Sequence, residues 1–472
     1  MANNSKLHVV MLPWLAFGHI IPFLELSKFM AQRGHRITFI STPRNIERLP
    51  EIPPNLSASI TLVKVPLPKV DGLPSNAEAT MDIRTDQMSL LKKAYDCLEP
   101  DLTRFLENSV PDWIIHDFCS HWLQPVAAKL GISKSYFCIV SPWTLGFFGP
   151  PEMLINGTDP RNEAEDFLVP PKWVTFPTKV AYRIHEINWI LGAVNPNISG
   201  ASDAYRLGMV TKGSDVVTLR YCNEFEGDWL KLLNEIYPSE VMPLGLMPPP
   251  QVNNNSSDEK NEEMPSSIKE WLNNQNKASV VYVALGSEVS PTQTEISELA
   301  LGLELSRVPF FWVLRKTPGF NESESVELPD KFEERVEGRG IVWKSWAPQL
   351  KILNHESVGG FLTHCGWGST IEGLAFGHPL IMLPFLVDQG LNARVLEDKQ
   401  VGIEVPRNEQ DGSYTRNSVA QTVRLIMIED EGKRFRDGAK EMSGLFGNTE
   451  LHDAYMHRFL EFLEDNQHKS KN

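Results

Sequence analysis

The residues best suited to chemistry lie in two stretches far apart in the chain. One runs WAPQLKILNHESVGGFLTHCGWGSTIEGLAFGHPLIMLPFLVDQ, from Trp346 to Gln389, and offers an indole, amides, an imidazole in a glycine-bracketed turn, a carboxylate and an acid–amide pair. Trp346, in the loop Trp-Ala-Pro-Gln, suits a ring stacked on a flat heterocyclic base, with Ala347 and Gln349 near its edge. His364 could donate to a phosphate oxygen. The acceptor oxygens of Glu372 suit two vicinal ribose hydroxyls, as an acidic residue does in dinucleotide sites. Asp388 and Gln389 offer acceptors and donors to sugar hydroxyls. Each residue also has a plain use: core ring, incidental loop histidine, helix-terminal carboxylate, solvated strand end.

The elements that must hold these groups can be read from pattern. Val358–Thr363 and Leu380–Leu383 are short apolar runs fit for buried parallel strands. Between them Ser369–Phe376 has helical spacing, with Ser369 or Thr370 as N-cap and Glu372 in the first turn. His-Cys-Gly-Trp-Gly, residues 364–368, is then a strand-to-helix turn in which Gly366 and Gly368 let backbone amides approach a ligand closely. With Trp367 and Ser369 it opens onto a helix N-terminus, an anion site that suits a diphosphate.

Toward the other end, Leu7–Leu12 is a short apolar strand interrupted only by His8, followed by PWLAFGHIIP (13–22) and a helix carrying Phe23, Leu24, Leu26, Phe29 and Met30. His19 therefore falls in the first strand-to-helix turn, at the carboxyl edge of a parallel sheet. No GxGxxG follows the strand, so a nicotinamide enzyme gains no support. A second strand, Trp113–His116, ends at Asp117, also at that edge. A neutral imidazole near a helix N-terminus remains available as a base near pH 7, and a carboxylate on its other nitrogen fixes the tautomer. Spacing alone is better met by a histidine filling a turn and an aspartate capping a helix. His116 and His121 flank Asp117; strand alternation turns His116 to the opposite face, and His121 reads as a surface or helix residue. His8 and His35 read as structural.

At so many fixed spacings the 346–389 stretch resembles the donor-sugar signature of plant family 1 UDP-glycosyltransferases. The resemblance covers nearly the whole chain and weakens between Asn156 and Asn234. It implies a GT-B fold, two facing Rossmann-like doubly wound α/β domains with a cleft between them. It implies His19 as general base with Asp117 as its partner, uracil on Trp346, and Cys365 as a small packing residue. Three positions depart from the pattern: Gly368 stands for the usual Asn, Leu383 for Trp, His378 for Val. PWLAFGHIIPFLELSK and GHPLIMLPFLVDQGLNAR look like the branch that adds a sugar to an existing glycoside. The implied reaction is inverting, with a UDP-sugar as co-substrate, no other cofactor and no metal. UDP-glucose is the expected donor, with UDP-rhamnose as alternative and a catalytically silent nucleotide-sugar binder as a different class. Trp14, Phe17, Trp143, Leu145, Phe147 and Phe148 could line an apolar acceptor pocket for a terpenoid or flavonoid, or pack the core.

Length and composition frame the rest. A chain of 472 residues is too long for one core, so two domains are expected. An apolar content of 42% with 9% aromatics is that of an ordinary globular protein. A net charge of −15 speaks against nucleic acid or anionic membrane as partner. Five scattered cysteines suggest neither disulfides nor a metal site. The N-terminal apolar run, broken by His8, Pro13, His19 and Pro22, fits neither a signal peptide nor a membrane span, so a cytoplasmic enzyme is expected. Residues 247–267, rich in Pro, Asn, Ser and acid, read as a linker between an acceptor-binding domain (1–246) and a donor-binding domain (268–449). Beyond it Ser279–Leu285 is a new buried strand ending in Gly286-Ser287, and Glu295–Leu305 a helix. Ser287 is thus a candidate for the phosphates, across from the 364–369 turn. An amphipathic helix at 450–464, within a terminal segment 450–472, is expected by family analogy to brace the first domain.

Overall fold

The computed structural model describes residues 6–249, 264–314 and 327–467. Most of the expected linker, residues 250–263, lies outside them; its last two residues already belong to the helix Ser266–Asn273. Apolar strands that pair only in parallel build two sheets. The first holds β1 (His8–Leu12), β2 (Arg36–Ser41), β3 (Ile60–Lys64), β4 (Trp113–His116), β5 (Ser133–Cys138), β6 (Val216–Leu219) and β7 (Glu240–Pro243), in the order β3-β2-β1-β4-β5-β6-β7. The second holds β8 (Val280–Ala284), β9 (Phe310–Val313), β10 (Gly340–Trp343), β11 (Val358–Thr363), β12 (Leu380–Met382) and β13 (Gly402–Glu404), in the order β10-β9-β8-β11-β12-β13.

In both sheets the strand order reverses beside the first strand, between β1 and β4 and between β8 and β11. Crossovers leave in opposite directions there, so the turns part and open a crevice at the carboxyl ends. His19 and Asp117 follow β1 and β4; Ser287 and His364 follow β8 and β11. Topology alone thus places all four at switch points.

Three helix starts differ from the pattern reading. The first helix runs Phe17–Gln32, so His19 lies in its first turn and not before it, with Pro22 inside. The helix after β11 runs Trp367–Ala375 with Gly366 as N-cap, and the Gly366 carbonyl accepts from the Thr370 amide at 3.0 Å. Residue preference had favoured Ser369 or Thr370; the backbone turned earlier. The helix after β8 runs Gln293–Ser306 with a Thr292–Glu295 capping box.

The helix Thr449–Asp465 returns to the first domain. Phe459, Leu460 and Leu463 join Val9, Met11 and Phe23 in one buried cluster, and the Leu463 carbonyl accepts from the Trp113 indole at 3.0 Å. Another cluster crosses the domain boundary: Trp143, Tyr221 and Phe225 pack with Trp367 and Phe446.

Candidate active site

The His19 Nδ1 lies 2.7 Å from Asp117 Oδ2. Asp117 is itself held by two backbone amides, Trp14 to Oδ2 at 3.0 Å and Phe118 to Oδ1 at 2.7 Å. Those bonds are made because the chain turns at the ends of two adjacent strands, β1 and β4. With Asp117 accepting from Nδ1, the neutral imidazole presents Nε2 as its lone-pair nitrogen. Burial disfavours the His19 cation, but the charge and hydrogen bond of Asp117, helped by Glu288 and Asp388, outweigh it and raise the pKa. The helix N-terminus, expected to keep the ring neutral, is overruled by three carboxylates.

His116 and His121 are occupied elsewhere. Buried His116 contacts Ser120 and Ser214 hydroxyls at 3.0 Å each, and burial takes its pKa down to about 4. His121 is neither helical nor a free surface residue: it sits in a turn, 2.9 Å from the Arg206 guanidinium.

On the second domain Trp346 leaves half of its surface exposed in its loop, a free face for stacking. Ala347 beside it is buried. Gln349 donates to Glu372 Oε2 at 2.6 Å and accepts from the Tyr282 hydroxyl at 3.2 Å, so the amide and the carboxylate are mutually oriented. Burial raises the Glu372 pKa against the opposing pull of Gln349 and Arg220. His364 is wedged between two glycines: a Cβ on Gly286 would come within 2.6 Å of its Nε2, and one on Gly366 within 2.5 Å. Its Nδ1 is buried with no hydrogen-bond partner among the described residues, and burial drops its pKa to about 4. A neutral imidazole with spare hydrogen-bonding capacity is therefore fixed in the turn. Gly368 and Ser369 occupy the first helical turn beside it, half-buried.

Cys365 holds a φ of 67° in that turn and is fully buried, with its thiol pushed well up by burial; it packs and does not attack. Of the other departures from the family pattern, Leu383 is core, and His378 donates to the Leu353 carbonyl at 2.6 Å, pinning the short helix Gln349–Leu353.

Asp388 is buried, accepts from Asn392 Nδ2 at 2.9 Å, and is pushed by burial up to about 6. Gln389 uses its carbonyl oxygen on the Phe385 and Leu386 amides, at 2.8 and 2.9 Å, leaving its amide N–H groups for a ligand.

Three expected site side chains are placed elsewhere. The Trp367 ring is buried in the interdomain cluster and donates to the Arg220 carbonyl at 2.8 Å; only its backbone faces the turn. Trp143 is fully buried in the same cluster and donates to Asn392 Oδ1 at 2.8 Å, so it is core and not a pocket wall. Leu145 is core likewise. Trp14 packs edge-on against Tyr95 and Phe118, Phe17 lies half-buried on the β1 core, and Phe148 is buried. Phe147 packs edge-on against Tyr182, whose hydroxyl donates to the Val387 carbonyl next to Asp388.

Pattern reading missed Glu288, which accepts from the Thr80 hydroxyl of the other domain at 2.8 Å and adds charge toward His19. Its place directly after Gly286-Ser287 was the available signal. Arg220, the first residue after β6, was also missed.

Comparison with known proteins fits this geometry. A family model described as UDP-glucoronosyl and UDP-glucosyl transferase matches residues 229–435. UDP-glycosyltransferase 91D1 of Stevia rebaudiana is 52% identical over 98% of this chain and 94% of its own length. The chain belongs to the plant family 1 UDP-glycosyltransferases. Another relative, the soyasaponin III rhamnosyltransferase of Glycine max, is 43% identical over 98% of this chain and 96% of its own. The crystal structure of Glycyrrhiza uralensis UGT73P12 complexed with glycyrrhetinic acid 3-O-monoglucuronide superposes with a TM-score of 0.79 at 24% identity, covering 99% of this chain and 98% of that one; it shows the shared GT-B fold. As a member of this family the protein is a UDP-sugar-dependent glycosyltransferase. Among the described residues no helix is long and apolar enough to cross a membrane.

Proposed function

We propose that this glycosyltransferase moves glucose from UDP-glucose to a hydroxyl of a small-molecule glycoside, on a terpenoid or flavonoid scaffold, with inversion at the anomeric carbon. The observation that carries the chemistry is the Asp117–His19 pair, with Asp388 of the other domain close enough to act on the imidazole. His19 Nε2 takes the proton of the acceptor hydroxyl as its oxygen attacks the anomeric carbon; Asp117 stabilises the imidazolium that forms. UDP leaves from the opposite face, so an α-linked donor gives a β-glycoside. His364, Ser369 and the amides of the Trp367–Ala375 helix offset charge on the departing diphosphate, the kind of preorganised donors that supply much of a rate enhancement. Asp388 and the free amide of Gln389 suit the hydroxyls of glucose.

A second donor, UDP-rhamnose, is favoured by the name of the Glycine max relative, a rhamnosyltransferase. A glycoside acceptor is favoured by the same name and by the sugar-extending look of residues 13–28 and 377–394. Mass-spectrometric screening of UDP-glucose and UDP-rhamnose against aglycones and monoglucosides separates these readings. Transfer to aglycones alone would end the glycoside reading, and an α-glucoside product from UDP-glucose would end inversion. We further propose that turnover needs no divalent cation. Turnover should persist in EDTA, and its complete loss would overturn this part.

A further inference from the structure

A half-buried guanidinium from the first domain, that of Arg220, stands beside the diphosphate turn of the second and has a donor to spare. Arg220 Nε donates to the Leu246 carbonyl at 2.8 Å and Nη2 to the Met247 carbonyl at 3.0 Å, so the fork is fixed in place. Its own carbonyl accepts from Trp367, the first residue of the phosphate-facing helix, which ties the two domains at this point. Nη1 has no hydrogen-bond partner among the described residues, and it stands 3.4 Å from where a Cβ on Gly368 would be. Burial lowers the Arg220 pKa to about 10, which still leaves a cation at neutral pH. The carboxylates it feels, Glu372 and Glu25, make no ion pair with it. A partly desolvated cation with no ion-pair partner favours an anion beside it.

We propose that Arg220 is a further donor-binding residue, whose Nη1 bonds a diphosphate oxygen of the UDP-sugar across the space that an Asn side chain at position 368 would fill. A guanidinium suits phosphate oxygens and keeps its charge. The Gly368 departure then reads as one half of an exchange: the polar contact moves from the helix itself to the opposite domain. Because the cation comes from the first domain, donor binding draws the two domains together over the leaving group. Nε and Nη2 serve the fold; Nη1 serves the ligand.

The proposal rests on the 364–369 turn being the diphosphate site, and calorimetric binding of UDP and of uridine to the full-length enzyme separates the two. Arg220→Met is expected to weaken UDP binding by about ten- to a hundredfold, the usual worth of a charged hydrogen bond, and to leave uridine binding unchanged. Arg220→Lys should fall between, and Arg220→Ser with Gly368→Asn should recover part of the loss. Should Arg220→Met not fold, Arg220→Gln, which keeps an N–H for the Leu246 carbonyl, carries the same comparison. Unchanged UDP affinity would overturn the proposal, as would equal losses for UDP and uridine, which assign Arg220 to the fold alone. A wild-type enzyme that does not bind UDP would instead refute the donor-site reading beneath it.

Discussion

At the residue scale, His19 is a base strengthened by its surroundings. Its raised pKa means that the ring is protonated, and idle as a base, at low pH. The sign follows: kcat/KM should rise as pH climbs through a value above the ordinary 6.5 and then level off. Glu288→Gln removes one of the charges that hold the proton on, so the acid limb should move to lower pH. A limb that stays in place would show that Glu288 does not act on the imidazole. His19→Ala should lower kcat by about 10²–10⁴, the usual worth of a positioned base, when UDP release is followed. An unchanged rate would remove His19 from the mechanism.

At the element scale, the phosphate turn works because two glycines make room for one imidazole. Gly286 needs its small size twice over, for a φ of +76° and for His364; Gly366 has ordinary dihedrals and needs it only for His364. Gly366→Ala therefore isolates the packing effect. It should push His364 out of place and raise the donor KM roughly tenfold, about 1.4 kcal/mol, with the melting temperature nearly unmoved. A donor KM equal to wild type would mean that His364 does not touch the donor. Strand positions here were legible, since Trp113–His116 and Val358–Thr363 are apolar runs bounded by polar residues. The helix starts at Phe17 and Trp367 were not, because neither has the Ser, Thr or Asp cap that marks a start.

At the scale of the whole molecule, the domains share a core, and Trp143 is its centre. It packs edge-on against Tyr221 and Trp367, at 5.8 and 5.2 Å between ring centroids, and its indole N–H reaches Asn392 of the second domain. Trp143→Ala should cost about 3–5 kcal/mol in urea unfolding, as large aromatic deletions from cores do. A midpoint that hardly shifts would mean that this cluster does not join the domains. Arg183 with Glu404 and Arg394 with Glu186, at 2.7 and 2.9 Å, add ion pairs across the same boundary.

Sequence by itself located five of the strands, at 8–12, 113–116, 280–284, 358–363 and 380–382, and marked His19, Asp117, His364, Glu372 and Asp388 as candidates for chemistry. The strands and turns follow from local pattern, since buried strands need apolar runs and tight turns beside ligands need glycine, while the residues' roles came from the family resemblance. Which of the remaining polar and aromatic side chains face the cleft was decided only by the tertiary structure. Trp143 and Trp367 look like ligand-binding rings in the chain and are core in the fold, because the packing of one domain on the other buries them. Glu288 and Arg220 are single charges after short strands. Their surroundings come from residues far away in sequence, Thr80 for one and Gly368 for the other, and no local spacing encodes such a meeting.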